Sequence, residues 1–295
     1  MKQTIFRGAA TALVTPMNEN GVDYDALGRV IDIQIQGGIY ALVITGTTGE
    51  SATLTDREHR EVIAFAVEKT AHRVPLIAGT GSNDTSYAIE LSRFACEAGA
   101  DALLLVTPYY NKTTQKGLIA HYTAVADRVT KPMILYNVPS RTGCNIKPET
   151  LAVLADHPRI AAIKEASGDL SQVASMAYLA GDRVDIYSGN DDQILPVLSL
   201  GGAGVISVLS NLLPGETDAI CRHFFNGDVS ASRALQLKYL PLVHDLFSEV
   251  NPIPAKAALS AMGYGEDYLR LPLISMSEDN RARLLADMKK EGLLN

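Results

Sequence analysis

The stretch Ile160-Ala161-Ala162-Ile163-Lys164-Glu165-Ala166-Ser167-Gly168-Asp169 decides the fold. Its first four residues have the length and terminal turn signal of a buried strand. Period-two alternation then sends Lys164 to one face and Ile163 and Glu165 to the other. A lysine at the carboxyl end of a strand in an α/β protein points into the usual place of chemistry. At its ordinary pKa of about 10.4, roughly one amine in 2,500 is free at pH 7. An apolar wall penalises the ammonium and frees more of it. A free amine in a pocket can attack a carbonyl and form a Schiff base. The competing reading is a strand-end lysine with its head in water.

Working outward, similar runs rich in Val, Ile, Leu and Ala fall at 8–16, 41–46, 75–81, 102–109, 132–139, 184–189 and 204–209, with the one quoted at 160–166. Near-continuous apolar runs of this kind suit parallel strands covered by helices. Helix signals lie between them. Asp23 caps a helix that ends at Gly37-Gly38. Thr55-Asp56-Arg57-Glu58 reads as a capping box. Asp84 or Thr85 caps a helix with Ala88, Leu91, Ala95 and Ala98 inside and Gly99 as its stop. Pro148 suits a first turn, and Asp169 and Asp191 each cap a further helix. Eight strands alternating with helices predict a (β/α)8 TIM barrel, an α/β fold, in preference to a doubly wound sheet. Polar residues at the carboxyl ends of many strands favour the barrel. The alternation stops near Cys221. Helical stretches at 229–247, 254–262 and 278–291 predict a small helical domain, so the division is 1–224 for the barrel and 225–295 for the appendage.

The bulk properties narrow the function. The 295 residues are 47% hydrophobic and 20% charged, with net charge −7, which fits a soluble globular protein. No basic cluster exceeds pairs such as Lys289-Lys290, so neither nucleic acid nor an anionic membrane is an expected partner. The amino terminus lacks an apolar signal core and no run is long enough to span a bilayer. Cys96, Cys144 and Cys221 form no pair or framework, so a cytoplasmic, reducing location is expected.

The strand ends carry the candidate chemistry. Gly46-Thr47-Thr48-Gly49-Glu50 offers hydroxyls and backbone N–H groups that can hold a carboxylate or phosphate; it also reads as a polar turn satisfying itself. Tyr109-Tyr110-Asn111 offers a phenol for proton transfer, or an aromatic plug or subunit contact. Tyr136 alternates into the barrel mouth, where its phenol can pass a proton beside Lys164. Arg141 can grip a carboxylate in bidentate fashion. Asp191-Asp192 suits capping better than a metal, since neighbouring residues rarely face one ion. The glycines at 201–204 lack nucleotide-binding spacing, and the six histidines form no metal or triad motif.

The segments Gly46-Thr47-Thr48-Gly49-Glu50, Tyr109-Tyr110-Asn111, Tyr136-Asn137-Val138-Pro139-Ser140-Arg141-Thr142-Gly143 and Lys164-Glu165-Ala166-Ser167-Gly168, with Asn251-Pro252-Ile253-Pro254-Ala255-Lys256 near the end, resemble the dihydrodipicolinate synthase family. The likeness covers essentially the whole chain. The glycine-threonine and lysine motifs are shared with the wider N-acetylneuraminate lyase and pyruvate-dependent class I aldolase family; the 136–143 stretch is the synthase-specific part. The resemblance implies that Lys164 forms a Schiff base with pyruvate, whose enamine adds to L-aspartate 4-semialdehyde. It implies a proton relay of Thr48, Tyr136 and Tyr110, the last supplied to a neighbouring subunit. It implies that the backbone around Thr47 and Thr48 holds the pyruvate carboxylate, that Arg141 binds the semialdehyde carboxylate, and that Gly189 and Ile206 line the pocket. No metal or organic cofactor is implied, because the lysine supplies the electron sink. A homotetramer built as a dimer of dimers is implied, working in lysine and diaminopimelate biosynthesis.

Some members resembling this chain are inhibited by lysine in a cleft between subunits. The matching positions are Ser51, Ala52, Asp56, His59, Asn83, Tyr87 and Tyr109. The chain departs from the inhibited pattern at Asp56, where those members carry histidine, and at Tyr87, where they carry glutamate. Losing that carboxylate removes a charge-assisted partner worth about 1.5–3 kcal/mol, so weak or absent lysine inhibition is expected. Two other functions stay open from the residues alone. One is a related aldolase cleaving a 2-keto-3-deoxy sugar acid or N-acetylneuraminate. The other is a non-catalytic 2-oxo-acid binding protein.

Overall fold

The computed structural model describes residues 4–295; the sequence reading of residues 1–3 concerns a segment outside that range. The eight apolar runs are eight parallel strands: β1 (Gly8–Ala12), β2 (Ala41–Ile44), β3 (Leu76–Gly79), β4 (Ala102–Val106), β5 (Met133–Asn137), β6 (Ile160–Glu165), β7 (Asp185–Ser188) and β8 (Gly204–Ser207). Each pairs with the next, and β1 pairs with both β2 and β8, closing the barrel. Every strand is buried along its length except for half-buried Val106. That is why their sequences read as unbroken apolar runs.

Alternation divides the core in two. Ala10, Ala41, Val43, Ile77, Leu104, Ile134, Tyr136, Ala162, Tyr187 and Ile206 fill the barrel interior. Their neighbours, such as Ala9, Leu42, Ile44, Leu103, Leu135, Ile163 and Val205, face the helices outside. Tyr187 stacks on Phe6 with centroids 4.2 Å apart, and its hydroxyl donates to the Phe6 carbonyl at 2.8 Å, filling the interior from the residues that precede β1.

The helices are α1 (Tyr24–Gln36), α2 (Asp56–Thr70), α3 (Thr85–Ala98), α4 (Gln115–Ala126), α5 (Pro139–Thr142), α6 (Pro148–Leu154), α7 (Leu170–Ala180), α8 (Ile194–Ser199), α9 (Pro214–Phe225), α10 (Val229–Lys238), α11 (Leu240–Leu246), α12 (Ile253–Ala261) and α13 (Glu278–Lys290). The expected caps form at Asp23, Thr55, Asp84 and Asp169, the second as a full capping box with Glu58. Gly99 closes α3 at φ +105°, where a side chain is strained.

Two expectations need correction. Asp191 does not cap its own helix. Its Oδ2 accepts the amides of Val208 and Leu209, both at 2.9 Å, and so caps the turn after β8 from the neighbouring loop after β7. The predicted helix at 229–247 is two helices, α10 and α11, because Pro241 lacks the N–H needed to continue the first. Helices α4 and α9 were not anticipated: their buried faces include His121 and Tyr122, and Thr217 and Asp218, which break the apolar stripe. A two-stranded ribbon, Met17–Asn18 with Gly21–Val22, also lies outside the prediction.

The segment after β8 has a core of its own, with Leu242, Leu246, Ala258, Leu284 and Met288 packed against Val208, Leu209 and Leu212. It therefore sits on the loop that follows β8, at the carboxyl-terminal end of the barrel where such folds carry their chemistry.

Candidate active site

Strand register places the two central residues. Tyr136 on β5 is the Cα partner of Lys164 on β6, and Asn137 is the partner of Glu165. Tyr136 and Lys164 therefore share the inner face, and their neighbours Asn137 and Glu165 share the outer one. The Lys164 Nζ lies 4.4 Å from the centroid of the Tyr136 ring. Both side chains are buried, Lys164 at 6% exposure and Tyr136 at 7%. That removes the reading in which the lysine keeps its head in water.

Gly189 and Ile206 border the same space. Ile206 is fully buried in the interior cluster with Tyr136 and Ala166. A methyl placed on Gly189 would stand 2.6 Å from the Ala166 Cβ and 3.1 Å from the Lys164 Cε. Only a residue without Cβ leaves the lysine stem where it is.

Behind β5 and β6, a polar network fixes the strand ends. The Glu165 carboxylate accepts from the Asn137 amide at 2.8 Å and the Ser167 N–H at 2.7 Å. Asn137 also donates to the Asn145 carboxamide oxygen, and the Asn145 amide in turn donates to the Gln172 side-chain oxygen, both at 2.8 Å. Burial pushes the Glu165 carboxyl up, while these donors pull against it. The network ties β6 to α7 and to the loop after β5, so the two inner side chains are held from outside the barrel.

The turn after β2 closes on itself, with Glu50 N–H to Thr47 C=O at 3.1 Å and Ser51 N–H to Gly46 C=O at 3.3 Å. Thr47 is half-buried and Thr48 buried. A small recess of about 40 Å³ is lined by Gly46, Thr47, Ser51, Leu104, Val106 and Tyr136, so this turn and the β5 tyrosine share one space. Arg141 closes α5 at the rim, exposed, with its Nη2 donating to the Asn251 carbonyl at 3.2 Å. A wider cleft of about 320 Å³ opens beside Ser140, Ala166, Asn190, Asp191 and His244. Asp192 also borders this cleft; Asp191 is buried and Asp192 exposed.

Tyr110 is not brought to Lys164 within the chain. It is 92% exposed, with its backbone in the left-handed region at φ +69°. Of the residues matched to an effector cleft, Ser51 borders the recess beside Tyr136, and Asp56 and Tyr87 are joined to each other. Tyr87 donates its hydroxyl to Asp56 at 2.9 Å, and Arg60 binds the same carboxylate. The Arg60 contact holds the Asp56 carboxyl below the usual range, and burial with the Asp56 bond pushes the Tyr87 phenol up to about 12. The His59 Nε2 lies 2.8 Å from the Gly79 carbonyl, and Asn83 donates to the Tyr109 carbonyl at 3.1 Å. Ser51 and Ala52 stand in the short turn leading to α2.

Sequence reasoning passed over two contacts at this mouth. The Asn251 amide donates to the Thr48 Oγ1 at 2.9 Å, and Lys256 forms an ion pair with Glu50. The Asn251-to-Lys256 stretch carried part of the family resemblance, but nothing local in it points to a turn some 200 residues earlier.

The profile of the Dihydrodipicolinate synthetase family matches residues 5–291. The chain belongs to that family. A 4-hydroxy-tetrahydrodipicolinate synthase of Lachnoclostridium phytofermentans is 57% identical over 293 residues, covering 98% of this chain and 99% of the relative. The protein of the same name from Clostridium perfringens is 55% identical over 290 residues, covering 98% and 100%. Among solved structures, the dihydrodipicolinate synthase of Acinetobacter baumannii complexed with pyruvate superimposes with a TM-score of 0.96 at 41% identity, covering 99% of this chain and 100% of that one. Within the Dihydrodipicolinate synthetase family, the barrel, its closing pair β1–β8 and the helices beyond it are therefore a shared frame, and the Lys164–Tyr136 pair stands at its carboxyl-terminal mouth.

Proposed function

We propose that Lys164 is the Schiff-base residue and that Tyr136 and Thr48 move protons beside it. The activity is that of 4-hydroxy-tetrahydrodipicolinate synthase, a lyase of class I aldolase type. It joins pyruvate and L-aspartate 4-semialdehyde in lysine and diaminopimelate biosynthesis. The observation that carries the residue assignment is the buried Lys164 amine against the Tyr136 ring.

The Lys164 amine attacks C2 of pyruvate, and loss of water leaves an iminium that draws electrons from C3. A C3 proton then leaves to give the enamine, which adds to the aldehyde carbon of the semialdehyde. Attack of the semialdehyde's own amine on C2 closes the ring and returns the lysine. Each step moves a proton, which is the work of the Tyr136 phenol and the Thr48 hydroxyl. The Thr47 and Thr48 backbone receives the pyruvate carboxylate; Arg141, at the rim, receives the second carboxylate. Gly189 and Ile206 shape the pocket. No metal or organic cofactor enters this scheme.

Tyr110, exposed on a strained backbone, completes the relay in a neighbouring subunit, within a homotetramer of two dimers. The division places the reacting centre in residues 1–224 and its support in 225–295. The protein works in the cytoplasm; among the described residues no helix is long and apolar enough to cross a membrane.

A coupled assay tests the reading. Pyruvate and aspartate 4-semialdehyde are supplied with dihydrodipicolinate reductase and NADPH. NADPH loss that disappears in Lys164→Ala, together with borohydride trapping of pyruvate on the wild type alone, is the expected result. Turnover retained in Lys164→Ala removes the lysine from its role.

A further inference from the structure

We propose that Asn251 is a positioning residue for this chemistry, orienting the Thr48 hydroxyl through its side chain and Arg141 through its backbone. The inference rests on the reading of the site given above. Asn251 stands just before α12, 203 residues from Thr48 in sequence and in contact with it in space. Its amide donates to the Thr48 Oγ1 at 2.9 Å, and its carbonyl accepts from Arg141 at 3.2 Å. The side chain is 6% exposed.

A hydroxyl has one proton to give and lone pairs to receive. The Asn251 N–H occupies the receiving side of the Thr48 oxygen. The Thr48 proton therefore points away from Asn251 and stays available to the relay. Threonine is stiff about χ1, so the oxygen is held in place and the bond keeps its proton off the side that Asn251 occupies. The Asn251 carboxamide oxygen is meanwhile buried without a hydrogen-bond partner among the described residues. A side chain kept only for packing gains nothing from that cost.

The same segment is anchored on either side of the contact. Lys256 pairs with Glu50, two residues beyond Thr48, and its Nζ donates to the Tyr268 carbonyl at 2.8 Å. Arg270 binds Glu58 and donates to the Thr53 carbonyl at 2.8 Å. Asn251 is thus delivered to the mouth by a segment clamped to the β2 turn and its following helix.

The test compares Asn251→Ala, the isosteric Asn251→Asp, Thr48→Val and the double variant Asn251→Ala/Thr48→Val. Asn251→Asp keeps the shape but presents a carboxylate that cannot donate to Thr48. For both Asn251 variants, kcat is expected to fall about ten- to hundred-fold, the scale of a misplaced reacting group. The KM for aspartate 4-semialdehyde stays within about two-fold, because the bond to Arg141 comes from the backbone. The double variant is no more than about two-fold slower than Thr48→Val, since Asn251 acts through Thr48. A lowered thermal midpoint with unchanged kcat, or losses that multiply in the double variant, would overturn the proposal. Wild-type turnover abolished by Lys164→Ala upholds the underlying site whichever way Asn251 falls; absence of wild-type turnover overturns both.

Discussion

Lys256 and Glu50 form an ion pair almost wholly shut off from water, their side chains 2% and 1% exposed. It joins the first turn of α12 to the end of the Gly46-to-Glu50 turn. Burial lowers the Lys256 pKa, and the Glu50 carboxylate pulls against that shift. Neither charge is tolerable there alone, because taking an ion out of water costs several kcal/mol.

Removing one partner is therefore worse than removing both. Lys256→Ala is expected to lower the free energy of unfolding by about 3–5 kcal/mol, and Lys256→Met with Glu50→Gln to recover most of it. Urea unfolding of the three proteins measures this. A single variant that costs under about 1 kcal/mol would show that water reaches the pair.

The neighbouring pair gives a pH signature. Arg270, through its hydrogen bond, holds the Glu58 carboxyl down from 4.5 to about 2. A depressed carboxyl stabilises the fold above its unfolded pKa and loses that stabilisation as pH falls toward the folded value. The gap in stability between wild type and Arg270→Met should be full at neutral pH and close between 4.5 and about 2. This pair is partly open to solvent, which holds its worth to about 1 kcal/mol. Unfolding midpoints at neutral and acid pH decide it; a gap that widens in acid has the wrong sign.

Gly189 is expected to tolerate no side chain. Gly189→Ala forces its new methyl onto Ala166 and the Lys164 stem. Overpacking of this kind costs about 1–3 kcal/mol, and here it also pushes on the Lys164 side chain. Steady-state rates should fall about ten-fold or more, with weaker borohydride trapping of pyruvate. Rates equal to wild type would mean that the lysine stem does not need this space.

Lysine is expected to inhibit weakly or not at all. The Asp56 carboxylate is already bound by Arg60 and Tyr87, and Tyr87 is a phenol whose pKa of about 12 keeps it uncharged. No free carboxylate is left between them to meet an amino group. An activity titration with L-lysine checks this, and inhibition at submillimolar concentration contradicts it.

Where a signal is local, the sequence was readable. Period two separated Lys164 from Ile163 and Glu165 and turned Tyr136 toward the mouth, and the register sets the two side by side. The caps at Asp23, Thr55, Asp84 and Asp169 act within three residues of themselves. Asp191 looked the same but reaches Val208 and Leu209 instead, 17 and 18 residues away. Parallel pairing of β7 with β8 brings those loops together. Asn251 and Lys256 were opaque as contacts for the same reason. A carboxamide and an ammonium before and inside a helix carry no mark of the turn they touch, because the partner is chosen by the path of the chain.

The Asn251–Thr48 bond also sets an order on synthesis. All eight strands have been made by Ser207, and Lys164 and Tyr136 earlier still. The β2 turn nevertheless waits for residues 251 and 256 before its hydroxyl is oriented and its carboxylate neutralised. The residues that form the barrel strands thus precede in the chain those that finish its mouth.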